Sequence, residues 1–262
     1  MNYKISIIIP ILNEAETIGN LINFLSVNST EENISEIIVV DGGSTDGSQH
    51  IVNNFVTSSD SERSEELYRE ATKKGLDTFL KNKNTRPDIF LLNSEKGRAK
   101  QMNLGAKNAS GNILYFLHAD SFPPKDFDQF IIEKIEKGHQ AGCFRMQFDS
   151  NHWWLKLAGW FTQFNWKICR GGDQSLFITK ELFNDLGGYN ETYIICEDYI
   201  LINKLYERTP FTVINKKLKT SARLYEKHGV FKLQYHFWVI HVKKWFGANA
   251  ETLYKYYKKH IC

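Results

Sequence analysis

The sequence predicts an α/β protein built on a doubly wound, mostly parallel sheet. Two observations carry that expectation. Apolar, β-branched runs alternate with helix-period segments across the first 120 residues, and each run ends in a polar loop rich in Asp, Gly or Asn. A length of 262 residues is ample for one large core of this kind. With 24% charged and 42% hydrophobic residues, a wholly disordered chain is excluded. No apolar run reaches the roughly 18 residues that would oblige a helix to span a bilayer.

Taken in order, residues 5–9 read as a strand buried on both faces. Asn13 stands three residues before Glu16, the spacing of a capping box, and Ile18, Leu21, Ile22 and Leu25 recur at helical intervals behind it. Residues 37–40 form a second buried strand that runs into Asp41-Gly42-Gly43-Ser44-Thr45-Asp46-Gly47, with Ile51, Val52 and Phe55 marking the next helix. Residues 89–92 are a third strand, followed by a helix over 98–109. Residues 113–117 are a fourth, ending in His118-Ala119-Asp120. The polar stretch between Thr57 and Arg86 reads as a helical surface insertion.

After Asp120 the pattern changes. A helix is expected over 125–137, a strand over 141–148, an aromatic segment from Trp153 to Trp166, and helices after Glu197 and from Phe231 onward. Trp153, Leu157 and Trp160 have helical spacing, which favours core packing over sugar stacking or a lipid interface. The chain thus divides into residues 1–120, residues 121–230 as the other half of the same domain, and a basic, aromatic helical segment over 231–262. Cys143, Cys169, Cys196 and Cys262 have neither metal-ligand nor redox spacing and read as reduced thiols. The N-terminus lacks a signal-peptide pattern, so a cytoplasmic protein is expected.

Loops at the carboxyl ends of parallel strands converge on one crevice, and that is where ligands bind. Here all four strands end in unusual polar punctuation. There is no G-x-G-x-x-G and no G-x-x-x-x-G-K-[ST]. The first two loops offer carboxylates suited to base N–H and ribose hydroxyl groups, and the third offers Arg98 and Lys100, suited to phosphate. Asp120 ends a buried strand and suits a hard cation that shares diphosphate oxygens, Mg²⁺ or Mn²⁺. Base, ribose, diphosphate and metal together describe a nucleotide-diphosphate ligand.

Four motifs occur in this order: Ile9-Pro10-x-x-Asn13-Glu14, Val40-Asp41-Gly42-Gly43-Ser44-Thr45-Asp46, Gly97-Arg98-Ala99-x-Gln101-Met102-Asn103-x-Gly105-Ala106 and Leu117-His118-Ala119-Asp120. The set resembles the family-2 glycosyltransferases. More narrowly it is similar to the small soluble subgroup found near radical-SAM and selenium-linked genes. Gly172-Asp173-Gln174, Gly187-Gly188-Tyr189, Glu197-Asp198 and Ser221-Ala222-Arg223 through His228 extend the likeness over nearly the whole chain outside the insertion.

The resemblance implies a GT-A fold, with residues 1–120 as the nucleotide-sugar-binding half and 121–230 as the acceptor and catalytic half. It also implies inverting sugar transfer from a nucleotide-sugar donor, with Mg²⁺ or Mn²⁺. Pro10, Asn13 and Glu14 would line the nucleotide pocket, and Asp41 would contact the base. Asp46 would order its loop or cap the next helix. Arg98 and Asn103 would lie by the diphosphate and ribose, with Arg223 as a further phosphate contact. His118-Ala119-Asp120 stands where the family commonly has Asp-x-Asp. Asp120 is the metal candidate, and His118 contacts ribose or metal or shapes the loop. His228 is a second metal candidate, with a purely structural role as its alternative. The base is placed at Asp198, with Glu197 and Asp173 as alternatives, since adjacent residues do not both face the crevice. Read from the residues, Gly171-Gly172-Asp173-Gln174 precedes a short apolar run and offers Asp173 and Gln174 as an acceptor-side turn, with an ordinary tight turn before a strand as the alternative.

From Asn215 to Cys262 there are 11 Lys or Arg against 2 acids, a charge of +9, while the rest of the chain carries −6. This tail has the composition of an interfacial helix. A lipid-linked acceptor, with the protein peripheral on the inner face of the membrane, is one option, and a solvated helix face is the other. Two competing functions remain open at this stage, a sugar nucleotidyltransferase and a non-catalytic nucleotide-sugar-binding module. The acidic crevice loops leave little room for nucleic acid as a partner.

Overall fold

The computed structural model describes residues 2–56, 87–171 and 174–261. The expected 57–86 insertion and Asp173 lie outside the described residues. The first half contains β1 (Ile5–Ile11), α1 (Ile18–Val27), β2 (Ile34–Asp41), α2 (Ser48–Asn53), β3 (Asp88–Asn93), α3 (Arg98–Asn108) and β4 (Ile113–Phe116). The second half contains β5 (Ser121–Phe122), α4 (Phe127–Glu136), β6 (Ala141–Phe148), α5 (Trp153–Phe161), β7 (Leu176–Thr179), α6 (Lys180–Asp185), α7 (Glu197–Arg208) and β8 (Thr212–Thr220). Three helices follow: α8 (Arg223–His228), α9 (Val230–Trp245) and α10 (Ala250–His260).

These strands form one sheet in the order β3-β2-β1-β4-β7-β6-β8-β5. The first four run parallel, as βαβ connections require. Beyond β4 the sheet becomes mixed: β7 is antiparallel to both β4 and β6, β8 is parallel to β6, and the short β5 closes the edge antiparallel to β8. The doubly wound α/β expectation therefore holds.

The pleat sorts the core into two layers. Ile5, Ile7 and Ile9 of β1 face a cluster with Leu21 and Leu25 of α1 and Phe127 and Ile131 of α4. Ile8 faces the other side, with Val40, Met102 and Ala106, and with Leu201 and Leu205 of α7. Gly105 lets α3 sit down on this second layer, because a Cβ there would lie 2.5 Å from Ile8 Cγ2. Pro10 is tolerated inside β1 because its nitrogen points toward β4, which pairs with β1 only through Ile8. Glu36 is one of the buried charges among the described residues. Glu36 of β2 accepts hydrogen bonds from the Ser6 and Ser110 hydroxyls and from Ser110 N–H at 3.0 Å. Burial raises its pKa, but these bonds outweigh that and hold the carboxyl below its usual value.

Two local expectations are corrected. The capping box is not formed: α1 starts at Ile18 behind Thr17, and Asn13 takes a left-handed conformation (φ 58°) within the preceding loop. Trp153, Leu157 and Trp160 do share a helical face, but that face is exposed and not packed in the core. Helical spacing identifies a face without saying which way it points.

Candidate active site

The loops after β1 and β2 are tied to each other. Asn13 N–H donates to Ser44 Oγ (2.8 Å), Glu14 N–H to Ser48 Oγ (2.8 Å) and Ala15 N–H to Asp46 Oδ2 (2.9 Å), while Thr45 N–H donates to Asn13 Oδ1 (2.8 Å). Asn13 thus acts through its backbone turn and side chain as a loop clasp. Asp46 also accepts from Ser48 N–H at the start of α2 (3.0 Å), so it both orders the loop and helps cap the helix.

Asp41 is only 1% exposed. Its carboxylate accepts from Gly43 N–H, from Ser44 N–H and hydroxyl, and from the Gln49 amide. Burial raises its pKa, and these donors outweigh burial and lower it. With that many donors its lone pairs are occupied, and a base N–H reaching it would have to displace one. Behind this loop, the buried Gln101 amide donates to Ile11 O (2.7 Å) and Val40 O (2.8 Å), holding the ends of β1 and β2 together. Sequence reading included Gln101 in a motif without seeing this role.

Asn103, expected by the diphosphate and ribose, is tied to the Tyr189 turn in this structure. Its amide donates to Tyr189 O (2.9 Å) and Glu191 Oε1 (2.8 Å), and its oxygen accepts from Tyr189 N–H (2.9 Å). All of its donors are used in fixing the Gly187–Gly188–Tyr189 turn to α3. Gln174 is likewise buried and hydrogen-bonded internally. It donates to Cys169 O (2.6 Å) and accepts from Cys143 Sγ.

The charged residues converge at the ends of β1 and β4 and at the start of α7. Arg98, first residue of α3, pairs with Glu197, first residue of α7, at 3.1 Å. The Glu197 side chain is 3% exposed and that of Arg98 is 42% exposed. Arg223, at the start of α8, pairs with Glu14 and lies 3.6 Å from Asp120 Oδ2, so one guanidinium spans the β1 and β4 loops. His118 stands among them. Burial lowers its pKa first and Arg98 second, and together they overcome Asp120, Asp198 and Glu14 and push it down to about 4. The imidazole is therefore neutral near pH 7, and it feels the charges of both Asp120 and Asp198.

A small cavity of about 20 Å³, lined by His118, Gly171, Ser175, Tyr189, Glu197 and Asp198, lies beside this cluster. Adjacent residues in a helix point about 100° apart. Accordingly Glu197 is buried against Arg98 while Asp198 keeps partial solvent access. A larger cleft, between β6 and α5, includes Arg145, Lys156 and Lys217 and none of the site residues expected from sequence.

The C-terminal helices supply a wall that spacing did not reveal. Asp198 acts electrostatically on His241 and Lys244 of α9. The Lys244 ammonium sits 4.0 Å from the centroid of the Tyr193 ring, and the Tyr199 ring lies 6.1 Å from that of His241. Leu233 and Ile240 of α9 share a small core with Ile195 and Leu253. More than 40 residues separate Asp198 from His241, and only the tertiary fold brings them together.

The donor set also bears on a cation. Among the described residues no three His, Cys, Asp or Glu side chains gather as a ready ligand cage. Asp120 offers one carboxylate, 21% exposed, at the crevice. That fits Mg²⁺ or Mn²⁺ held by one or two carboxylates and completed by diphosphate oxygens and water. His228 ends α8 with a buried Nε2 that has no hydrogen-bond partner among the described residues.

Comparisons with known proteins bear on the fold and the family. Solved structures share the fold: a mannosyltransferase, PcManGT from Pyrobaculum calidifontis, in complex with GDP-Man and Mn²⁺, matches with a TM-score of 0.62 at 16% identity over 97% of this chain and 68% of its own. S. aureus TarS (residues 1–349) in complex with UDP matches with a TM-score of 0.60 at 17% identity, over 83% of this chain and 60% of its own. The fold is accordingly GT-A. In sequence, glycosyltransferase AglE of Haloferax volcanii is 29% identical over 119 residues, 45% of this chain and 31% of AglE. An uncharacterized glycosyltransferase of Haemophilus influenzae is 30% identical over 122 residues, 47% of this chain and 38% of that protein. The chain thus aligns with about a third of the length of these relatives. The family model described as glycosyl transferase family 2 matches residues 6–76 and 68–213, and with that match the chain belongs to glycosyl transferase family 2.

Proposed function

We propose that the protein transfers a sugar, with inversion, from a nucleotide-diphosphate-sugar to an acceptor oxygen. One observation carries this reading: Arg98, His118, Asp120 and Asp198 are drawn together near the carboxyl ends of the parallel strands, with Asp198 and His118 lining the same small cavity. The laced loops carrying Pro10, Asn13 and Glu14 form the nucleotide side. Arg98 and Arg223 supply positive charge for the diphosphate. The motifs from Gly172 onward favour the small subgroup noted from sequence. Inverting transfer is one displacement at the anomeric carbon. The acceptor oxygen bonds to that carbon, the bond to the diphosphate oxygen breaks, and the acceptor proton passes to a base.

Asp198 is that base in this reading, and Glu197 is its positioning neighbour, since the Glu197 carboxylate is buried against Arg98. A divalent cation, when bound through Asp120 and the diphosphate, supplies Lewis-acid stabilisation of the leaving group. The nucleotide sugars named with the structural neighbours, UDP-GlcNAc with TarS and GDP-Man with PcManGT, support this donor class. The acceptor is placed on the α7–α9 side, and a lipid-linked acceptor reached from the inner membrane face is the preferred class.

The test is Asp198→Asn assayed with nucleotide sugars and Mn²⁺. Turnover is expected to fall about 10²–10⁴-fold, the usual worth of a general base, while calorimetric donor affinity stays within a few-fold. Wild-type turnover in a folded Asp198→Asn protein would remove Asp198 from this role.

A further inference from the structure

One face of α9 is largely exposed, touched only along part of its length by rings from the start of α5 among the described residues. Phe231, Tyr235, Trp238, Val242 and Trp245 recur at i, i+4, i+7, i+11 and i+14 and form a single stripe. All five are between 51% and 81% exposed. The opposite face, with Leu233 and Ile240, is already buried against α10 and Ile195. The helix is therefore apolar on two sides, one of them facing water.

The exposed stripe does not end with α9. The Phe231 ring lies 6.2 Å from that of Trp153 and 6.3 Å from that of Trp154, and Trp154 lies 6.5 Å from Trp238. On α5, Trp153, Leu157 and Trp160 continue the surface and are themselves exposed. Two helices about 70 residues apart in sequence thus build one aromatic surface. No acid occurs in α9, which carries Lys232, Lys243 and Lys244, and the 215–262 segment as a whole is at +9.

We propose that this composite α5–α9 surface docks on an anionic lipid bilayer, with the stripe lying at the boundary between headgroups and acyl chains. Amphipathic Trp and Tyr rings next to lysines, without acids, match the chemistry of that boundary, and anionic headgroups complement the charge. The docking helix also bears on the site. Lys244, on another side of the helix, and His241, beside the stripe at i+3 from Trp238, lie within the field of Asp198. With α9 on the membrane, the Asp198 cavity lies close to the bilayer, within reach of an acceptor whose polar head carries the nucleophilic oxygen. This last step rests on the glycosyl-transfer reading, whereas the docking does not.

The experiment is flotation of the full chain with phosphatidylcholine vesicles, with and without about one-third phosphatidylglycerol, at low and high salt. Wild type is expected to float with the anionic vesicles, and raised salt is expected to weaken this. Trp238→Ser/Trp245→Ser should partition about tenfold less or worse, as should Trp153→Ser/Trp160→Ser, because apolar area sets interfacial affinity. Melting temperatures should stay near wild type, since these rings cover no core. Thermal shifts by nucleoside diphosphates without vesicles should be unchanged in the variants; their loss in wild type would count against the donor reading and leave docking standing. The proposal is overturned if wild type stays at the bottom with anionic vesicles at low salt, or if both double variants float like wild type. It is also overturned if the stripe variant dissolves a dimer in a protein that never binds vesicles, which would make the face a contact between copies.

Discussion

Glu197 and Asp198 are sequence neighbours in very different surroundings, and the difference comes from one bend in the chain. Cys196 takes a left-handed conformation (φ 61°) just before α7, and the first turn of that helix then sends Glu197 inward to Arg98. Acids in a first helical turn are also favoured by the helix dipole. Asn103 is the second residue whose environment decides its role. Asn103→Ala removes three hydrogen bonds between α3 and the Tyr189–Glu191 segment, and should lower stability by about 1–3 kcal/mol. Calorimetry should show donor affinity changed little; a large affinity loss without a drop in melting temperature would restore Asn103 as a ligand contact. Glu36 sets a pH dependence. Its folded pKa lies below the unperturbed 4.5, so its contribution is complete above that value and is lost as pH falls through the folded pKa. Glu36→Gln should therefore be less stable than wild type near pH 7. The gap in urea midpoint should close as pH is lowered below about 4.5. A gap that stays constant down to pH 3 would mean the charge contributes nothing.

At the scale of elements, α3 is the part on which most of the site depends. It carries Arg98 at its first residue, Gln101 beneath the β1 and β2 loops, and Asn103 at the Tyr189 turn. All three are positioned by the close approach at Gly105. In an ordinary helix Gly→Ala gains about 1 kcal/mol. Here the new methyl would lie 2.5 Å from Ile8 Cγ2 and 3.3 Å from Val40 Cγ2, inside a layer with no spare room. Gly105→Ala should therefore lower the melting temperature and lift α3, weakening donor affinity through Arg98. A higher melting temperature would show that the approach is looser than described.

For the whole molecule, the parallel half was the more legible from sequence. Strands covered on both faces read as unbroken apolar runs, as β1, β2 and β4 do, and the edge strand β3 carries such a run although Phe90 is exposed. The mixed half was obscure for a physical reason: β5 is two residues long and pairs with β8 at Ser121 and Thr220, 99 positions apart. The same limit applied to the site. Motif spacing brought out Arg98, His118, Asp120 and Asp198, which the fold brings together. It could not show that Asp41, Asn103 and Gln174 are committed to internal hydrogen bonds, because partner choice depends on tertiary distances. It also could not place α9 beside Asp198, although the charge of that segment was plain.

The clasp between the loops after β1 and β2 has a thermodynamic consequence. Four bonds between them mean that this wall loses its conformational freedom when the chain folds, before any nucleotide arrives. A visitor then meets a rigid socket, and the free energy of its contacts appears almost undiminished as affinity.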